Sequence, residues 1–331
     1  MMEFKNNPTL KNIYPENFKG SPVNPDGTFK NIGIPYIPGF RDAIKWKSRK
    51  NPMAEQKKTD TWRPEVIYGD HFLHEKQDCI VWLGHASFYL HLHGKKILID
   101  PVIENVTFLK RLISPPCPTS EFKNIDYLLL SHNHRDHCDA NTLKIVSSNN
   151  PHIKIFTGLG VENNVKKWFP KNEIQSAGWF QQYEIKDAEI KITYVPSRHW
   201  SKRWLNDDNK SLWGGFVIQF KDKTIYFMGD SGYGDHFKMI ADLFPEPDIC
   251  IMGVGAFMPE WFMGPSHISP TNAVRAFNEM KGKKMIPMHY GTFDLSDEPV
   301  GEPIRILKAI EKQNEINGQL VVLKAGEILH A

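Results

Sequence analysis

Ser131-His132-Asn133-His134-Arg135-Asp136-His137 follows directly on the apolar run IDYLLLS at 125–131. A continuous apolar run of that length reads as a strand buried on both faces, as the parallel strands of layered α/β folds are. Three imidazoles and a carboxylate within six residues are costly to explain as a polar loop with chance histidines. A turn after a strand sends alternate side chains, His132 and His134, toward one point. The turn and helix start that follow aim Asp136 and His137 at a second point nearby. Neutral imidazole nitrogen and carboxylate oxygen are the donors that suit zinc.

The same arrangement recurs further along the chain. His199 closes a strand predicted over 189–196, Asp230 one over 224–228 and His289 one over 284–288. Each alone is weak, because a histidine at a strand end is more often structural and a GlyAsp more often a turn. Together they place an acidic or imidazole group at the end of four separate strands. Two hairpins are expected, 88–92 with 97–99 and 216–220 with 224–228. Helices are expected over 140–149, capped by Asp139, over 161–169, from Pro270 to 281 and over 304–315, with a last strand at 320–324. No interior linker is visible, so 66–331 reads as one layered α/β domain. Residues 1–65 are rich in Pro, Asn and Lys and read as a partly ordered N-terminal arm, its helix confined to 39–47. Tyr14, Phe29, Tyr36, Phe40, Trp46 and Trp62 would be its apolar pegs.

Composition excludes several classes. With 331 residues, 40% hydrophobic and 24% charged, the chain is neither disordered nor collagenous nor a coiled coil. Its 41 basic and 38 acidic residues leave a net charge of +3, which gives no warrant for a nucleic-acid partner. No run of about 18 apolar residues exists to span a membrane. The first twenty residues show no apolar signal-peptide core. Cys79, Cys117, Cys138 and Cys250 are scattered, which reads as free thiols. A cytoplasmic protein is therefore expected, at most peripheral to a membrane.

HisAsnHisArgAspHis at 132–137 is similar to the HxHxDH motif of the metallo-β-lactamase superfamily, with His199, Asp230 and His289 at its later metal motifs and Asp100 at its early strand-end aspartate. The stretches at 82–87, 209–216, 229–233, 260–263 and 288–293 resemble the branch containing N-acylphosphatidylethanolamine-hydrolysing phospholipase D and its bacterial relatives. This resemblance covers about 75–325. It implies an αββα sandwich of two mixed sheets flanked by helices, and two Zn2+ per chain (other divalent metals being alternatives). It implies His132, His134 and His199 on one zinc, Asp136, His137 and His289 on the second, Asp230 bridging both, and Asp100 orienting a ligand from behind. Asp136 would also orient the attacking hydroxide, and His267 stands where the branch has a histidine near the scissile phosphate. A histidine at 134, where related di-iron proteins carry an acid, favours zinc hydrolysis.

The expected function is a zinc-dependent hydrolase, a phosphodiesterase of phospholipase D type acting on an N-acylphosphatidylethanolamine-like lipid. The alternatives are a lactonase on the same site and a non-catalytic zinc-binding scaffold. Arg135, between two ligands where the branch has tyrosine, is expected to contact a substrate phosphate. Trp261, Phe262, Met263 and His267 are expected to contact substrate, the first three as an acyl-chain or membrane-facing tip. Lys202 and Arg203 read as a solvated face. A homodimer is implied by the resemblance alone. His85 reads as a core histidine, and His91 and His93 as solvent-facing.

Overall fold

The computed structural model describes residues 3–13, 18–33, 38–106, 109–186 and 189–331. Among these, two large sheets stack face to face. Seven strands form the first, in the spatial order Ile328–His330, Cys79–Gly84, Ser87–Leu92, Lys95–Ile99, Tyr127–Leu130, Lys154–Gly158, Ile174–Ala177. Eight form the second, in the order Gln319–Leu320, Lys284–Met288, Ile249–Gly253, Lys223–Phe227, Gly215–Phe220, Ile190–Val195, Gln181–Gln182, Lys11–Asn12. Each sheet is mixed. The parallel part runs from Lys95–Ile99 to Ile174–Ala177 in the first, and from Lys223–Phe227 to Gln319–Leu320 in the second.

Alternation along the strands of the first sheet divides its side chains between two cores. Ile80, Trp82, Phe88, Leu90, Ile97, Ile99 and Leu129 point inward, where they join Ile192, Tyr194, Phe216 and Ile218 of the second sheet. Val81, Leu83, Tyr89, Leu98, Leu128 and Leu130 point the other way into a separate apolar cluster. The apolar runs are continuous because both faces are covered. The α-helices among the described residues are α1 (Phe40–Lys47), α2 (Ala54–Thr59), α3 (Ala140–Asn149), α4 (Glu162–Val165), α5 (His236–Leu243), α6 (Glu260–Met263), α7 (Pro270–Glu279) and α8 (Glu302–Lys312), and in the arm Glu3–Lys5 pairs with Ser21–Val23 as a separate two-stranded sheet. The Asp139 carboxylate accepts from Thr142 N at 2.8 Å and starts α3. Ser269 caps α7, whose first residue is Pro270. Leu143 and Val146 of α3 enter the outer cluster of the first sheet, and Phe277 of α7 and Leu307 of α8 pack on the second. The result is the expected αββα sandwich.

Several expectations are corrected. The helix expected over 161–169 is limited to Glu162–Val165. The last strand is not 320–324: the chain pairs only over Gln319–Leu320, turns at Gly326 with φ of 85°, and crosses to the other sheet as Ile328–His330. The arm holds a second helix, α2, whose sequence AEQKKT has no apolar period and which tertiary bonds hold instead. Phe40 is not a peg, being 81% exposed. Phe29 is buried, Trp46 stacks on Phe262 at 5.0 Å, and Trp62 lies 6.2 Å from Tyr290. Tyr14 and Tyr36 lie outside the described residues.

All four cysteines are buried and free. Burial pushes the thiols of Cys79 and Cys138 up to about 11 and that of Cys117 to about 12. No helix among the described residues is long and apolar enough to cross a membrane.

Candidate metal centre

The carboxyl ends of the parallel strands open on one edge of the sandwich, the place where layered α/β folds collect polar side chains. Asp100 follows Lys95–Ile99, Ser131 and His132 follow Tyr127–Leu130, Asp230 follows Lys223–Phe227 by a short turn, and His289 follows Lys284–Met288. His199 arrives from the end of Ile190–Val195. His85 (φ 52°), Asp100 (φ 42°) and His289 (φ 62°) all sit in the left-handed region, a conformation uncommon for such residues and one that concentrates at functional sites.

The seven residues expected from the sequence come together in two adjoining groups, and the structure adds His85. In the first, His132 Nε2 and His199 Nε2 stand 2.9 and 3.1 Å from His134 Nδ1, and Asp230 Oδ2 lies 3.9 Å from the former and 3.7 Å from the latter. In the second, His137 Nε2 and His289 Nε2 lie 3.1 and 3.2 Å from the same Asp230 oxygen. Asp136 Oδ2 is 3.8 and 3.6 Å from those nitrogens. Potential donor atoms lie within 4.8 Å of one another in each of the groups His132, His134, His199, Asp230 and His85, Asp136, His137, His289.

The outer contacts fix which nitrogens face inward. His137 Nδ1 contacts the Asp100 carboxylate at 2.8 Å, and His199 Nδ1 contacts the Ser266 carbonyl at 3.0 Å. These oxygens only accept, so each Nδ1 carries a proton and each ring turns its Nε2 inward. Ser131 Oγ donates to Asp100 and therefore accepts from His132 Nδ1 at 2.9 Å, with the same consequence. Despite their short distances, the inward nitrogens of His137 and His289 make no aligned hydrogen bond. Ring nitrogens converging with carboxylate oxygens off the hydrogen-bond direction is the arrangement of ligands about a shared cation, so the residues fit divalent metal.

Electrostatics agree. Burial, with neighbouring imidazoles, holds His132 well below its ordinary value. Burial likewise holds His199 well below and pushes His134 down to about 4. Burial opposes charge on His137, yet Asp230 and Asp136 outweigh it and hold that ring well above the histidine range. His289 is raised to about 9 against the same burial, with Asp230 the largest opposing cause. A pocket that pulls positive charge between Asp136 and the buried Asp230 is one that a cation satisfies.

Around the groups, His267 places Nδ1 3.8 Å from Asp230 Oδ2 and is pushed down to about 4 by burial. Trp261 is 37% exposed, with Lys45 and Arg49 over its ring; Phe262 stacks on Trp46; Met263 is buried. Arg135 donates to the Arg203 carbonyl at 3.3 Å and lies over Trp204 at 5.3 Å. Among the described residues it has no ion-pair partner within 4 Å. Arg203 is not on a solvated face: it is buried and donates to the carbonyls of Asn133 and Cys138 at 3.0 and 2.7 Å, tying down the histidine-rich loop. His91 is also buried, its Nδ1 3.1 Å from the Gln77 carbonyl.

Sequence reasoning missed two further residues. His85 is buried, with Nε2 3.1 Å from Asp136 Oδ2. Asn31, from the arm, grips the His199 backbone on both sides: its amide donates to the carbonyl at 2.9 Å and accepts from the N–H at 3.1 Å. Its carbonyl oxygen also accepts from Trp213 Nε1 at 3.0 Å. The glycine before His85, in a stretch otherwise reading as strand, was the one available hint of a special turn.

The family model described as a beta-lactamase superfamily domain matches residues 95–290. An N-acyl-phosphatidylethanolamine-hydrolyzing phospholipase D 1 from Caenorhabditis elegans is 31% identical over 313 residues, which is 88% of this chain and 87% of the relative. A metal-dependent hydrolase from Archaeoglobus fulgidus is 28% identical over 253 residues, 75% of this chain and 96% of the relative. Among solved structures, a metallo hydrolase from the hyperthermophilic archaeon Ignicoccus hospitalis has a TM-score of 0.57 at 20% identity, over 77% of this chain and 98% of its own, which is a likeness of fold.

Proposed function

The chain belongs to the β-lactamase superfamily and is a metal-dependent hydrolase; on that premise we propose that it cleaves a phosphodiester in a lipid of the N-acylphosphatidylethanolamine kind, with zinc held in both donor groups. The observation that carries this reading is the pair of donor groups sharing Asp230, with His267 beside them and an aromatic, basic border. When bound, the ions would polarise a phosphoryl oxygen and lower the pKa of water. His132, His134 and His199 would hold one, Asp136, His137 and His289 the other, and Asp230 both. Asp136 takes the proton side of the attacking water and points its lone pair at phosphorus. Neutral His267 hydrogen-bonds a phosphoryl oxygen, and Arg135 supplies forked donors to the anionic head group. Water adds to phosphorus, the P–O bond to the leaving alkoxide breaks, the proton that Asp136 received from the water passes to that alkoxide to release the alcohol, and a phosphatidate monoester remains.

Apolar side chains on the border favour a lipid. Trp204 is 54% and Leu205 90% exposed, beside Arg135 and Lys167. Ile44 of α1 is exposed on a helix that also carries Arg41, Lys45 and Lys47, and α1 lies against α6. Exposed apolar groups interleaved with lysine and arginine suit contact with an anionic membrane surface.

The test is the zinc-loaded protein assayed on N-acylphosphatidylethanolamine in mixed micelles, with a lactone panel alongside. Release of phosphatidate and the N-acylated alcohol is expected. Lactone opening without phosphodiester cleavage, or no turnover of either, overturns the reading.

A further inference from the structure

His85 forms the corner between the strands Cys79–Gly84 and Ser87–Leu92, where the pairing register shifts at Gly84. Its backbone is left-handed, at φ 52°. That conformation is strained for a histidine, and a corner with no other duty would take glycine. Every polar backbone atom of His85 is engaged. Its N–H donates to Thr292 Oγ1 at 2.7 Å. Its carbonyl accepts from His289 N at 3.0 Å and from Trp82 Nε1 at 2.8 Å. The ring is 1% exposed, packed 4.1 Å from the His289 ring and 5.0 Å from Phe293. Thus one residue holds the backbone of one proposed ligand and touches the side chain of another, Asp136, 51 positions away in sequence.

The contact with Asp136 differs in kind from its neighbours. His85 Nε2 meets Asp136 Oδ2 at 3.1 Å with hydrogen-bond geometry. The Nε2 atoms of His137 and His289 approach carboxylate oxygens at similar distances without it. A carboxylate accepts only, so His85 Nε2 carries its proton and is not presenting a lone pair. A further nitrogen donor would also close the position that water must enter in a catalytic site.

From this geometry we infer that His85 is a positioning residue, its Nε2–H fixing the rotation of the Asp136 carboxylate while its carbonyl fixes His289. The inference rests on the metal-site reading and not on the choice of phosphodiester. Outer hydrogen bonds of this kind are worth about 10- to 100-fold in metal affinity or activity.

The test compares His85→Gln, which keeps an N–H near the same place, with His85→Met, of similar size but without a donor. Cobalt(II) is titrated into the metal-free full-length proteins against a competing chelator, and the visible spectrum is recorded. Wild type binding no cobalt would sink the metal-site reading itself. The Met variant is expected to reach the wild-type cobalt stoichiometry and band pattern at saturation, but to hold its weaker ion about tenfold less tightly. The Gln variant is expected within about threefold of wild type. Loss of a whole cobalt with a changed spectrum in both variants makes His85 a ligand, and wild-type affinity in the Met variant makes it mere packing; either overturns the inference. If the Met variant does not fold, the Gln variant decides: affinity within about threefold upholds the inference, and a tenfold weakening overturns it.

Discussion

The two donor groups that meet at Asp230 are supported in different ways. Behind the first stand neutral groups: the Ser131 hydroxyl on His132, the Ser266 carbonyl on His199, and the Asn31 amide on the His199 backbone. Behind the second stands charge: Asp100 directly on His137, and Asp136 itself among the donors. Asp100 reaches the first group only through Ser131. A carboxylate-backed imidazole is more basic, and a carboxylate donor can also manage a proton. The two groups thus divide the labour: the first is built to hold, and the second to hold and act.

Removing what the groups share should have the largest effect. Asp230→Asn is expected to weaken metal binding in both groups and to lower turnover by about a thousandfold or more. Metal analysis showing one group unaffected would break the idea of a common centre. Asp136→Asn should lower turnover by about a hundredfold while the first group keeps its metal. Loss of metal from the first group in that variant would erase the distinction between them. Asn31→Ala sharpens it from the other side, with an expected loss of about tenfold in the affinity of the first group alone, read by chelator competition.

The smallest effect concerns the arm, whose helix α2 is anchored through Lys57 to Asp294 and the Ser296 carbonyl, in the segment that follows His289. Burial works against the charge of Asp60, but bonds from Arg305, Gly301 N and Trp62 N outweigh it and hold the carboxyl below its usual value. A depressed folded-state value contributes stability that is present above the ordinary carboxylate range and lost as pH falls through the depressed value. Acid should therefore loosen residues 54–65 before the sandwich unfolds. Asp60→Asn should loosen them already at neutral pH, by about 1–2 kcal/mol in hydrogen exchange. Equal exchange in variant and wild type at neutral pH would detach the arm from this account.

What was legible in the sequence follows from where the information sits. His132, His134, Asp136 and His137 are read easily because they share one loop after one apolar run, and His199, Asp230 and His289 because each ends such a run. His85 and Asn31 carry no such mark. Asn31 meets His199 across 168 positions, and only the folded chain brings them together. Helix α2 was hidden because Lys57 bonded to Asp294, and Asn51 to the Asp297 carbonyl, do the work that an apolar stripe does elsewhere. Arg203 misled because it sits beside exposed Lys–Asp pairing at Lys202, while its own guanidinium turns inward.

The burial of all four cysteines has a practical side. Thiolate, not thiol, is the reactive species, and none of these sulfurs is both accessible and readily ionised. A cysteine introduced at the 90% exposed position of Leu205 would then be the one thiol that a maleimide dye finds in the folded protein. It would place a single fluorophore beside the Arg135–Trp204 border, where arrival of a lipid surface changes the polarity that the dye reports.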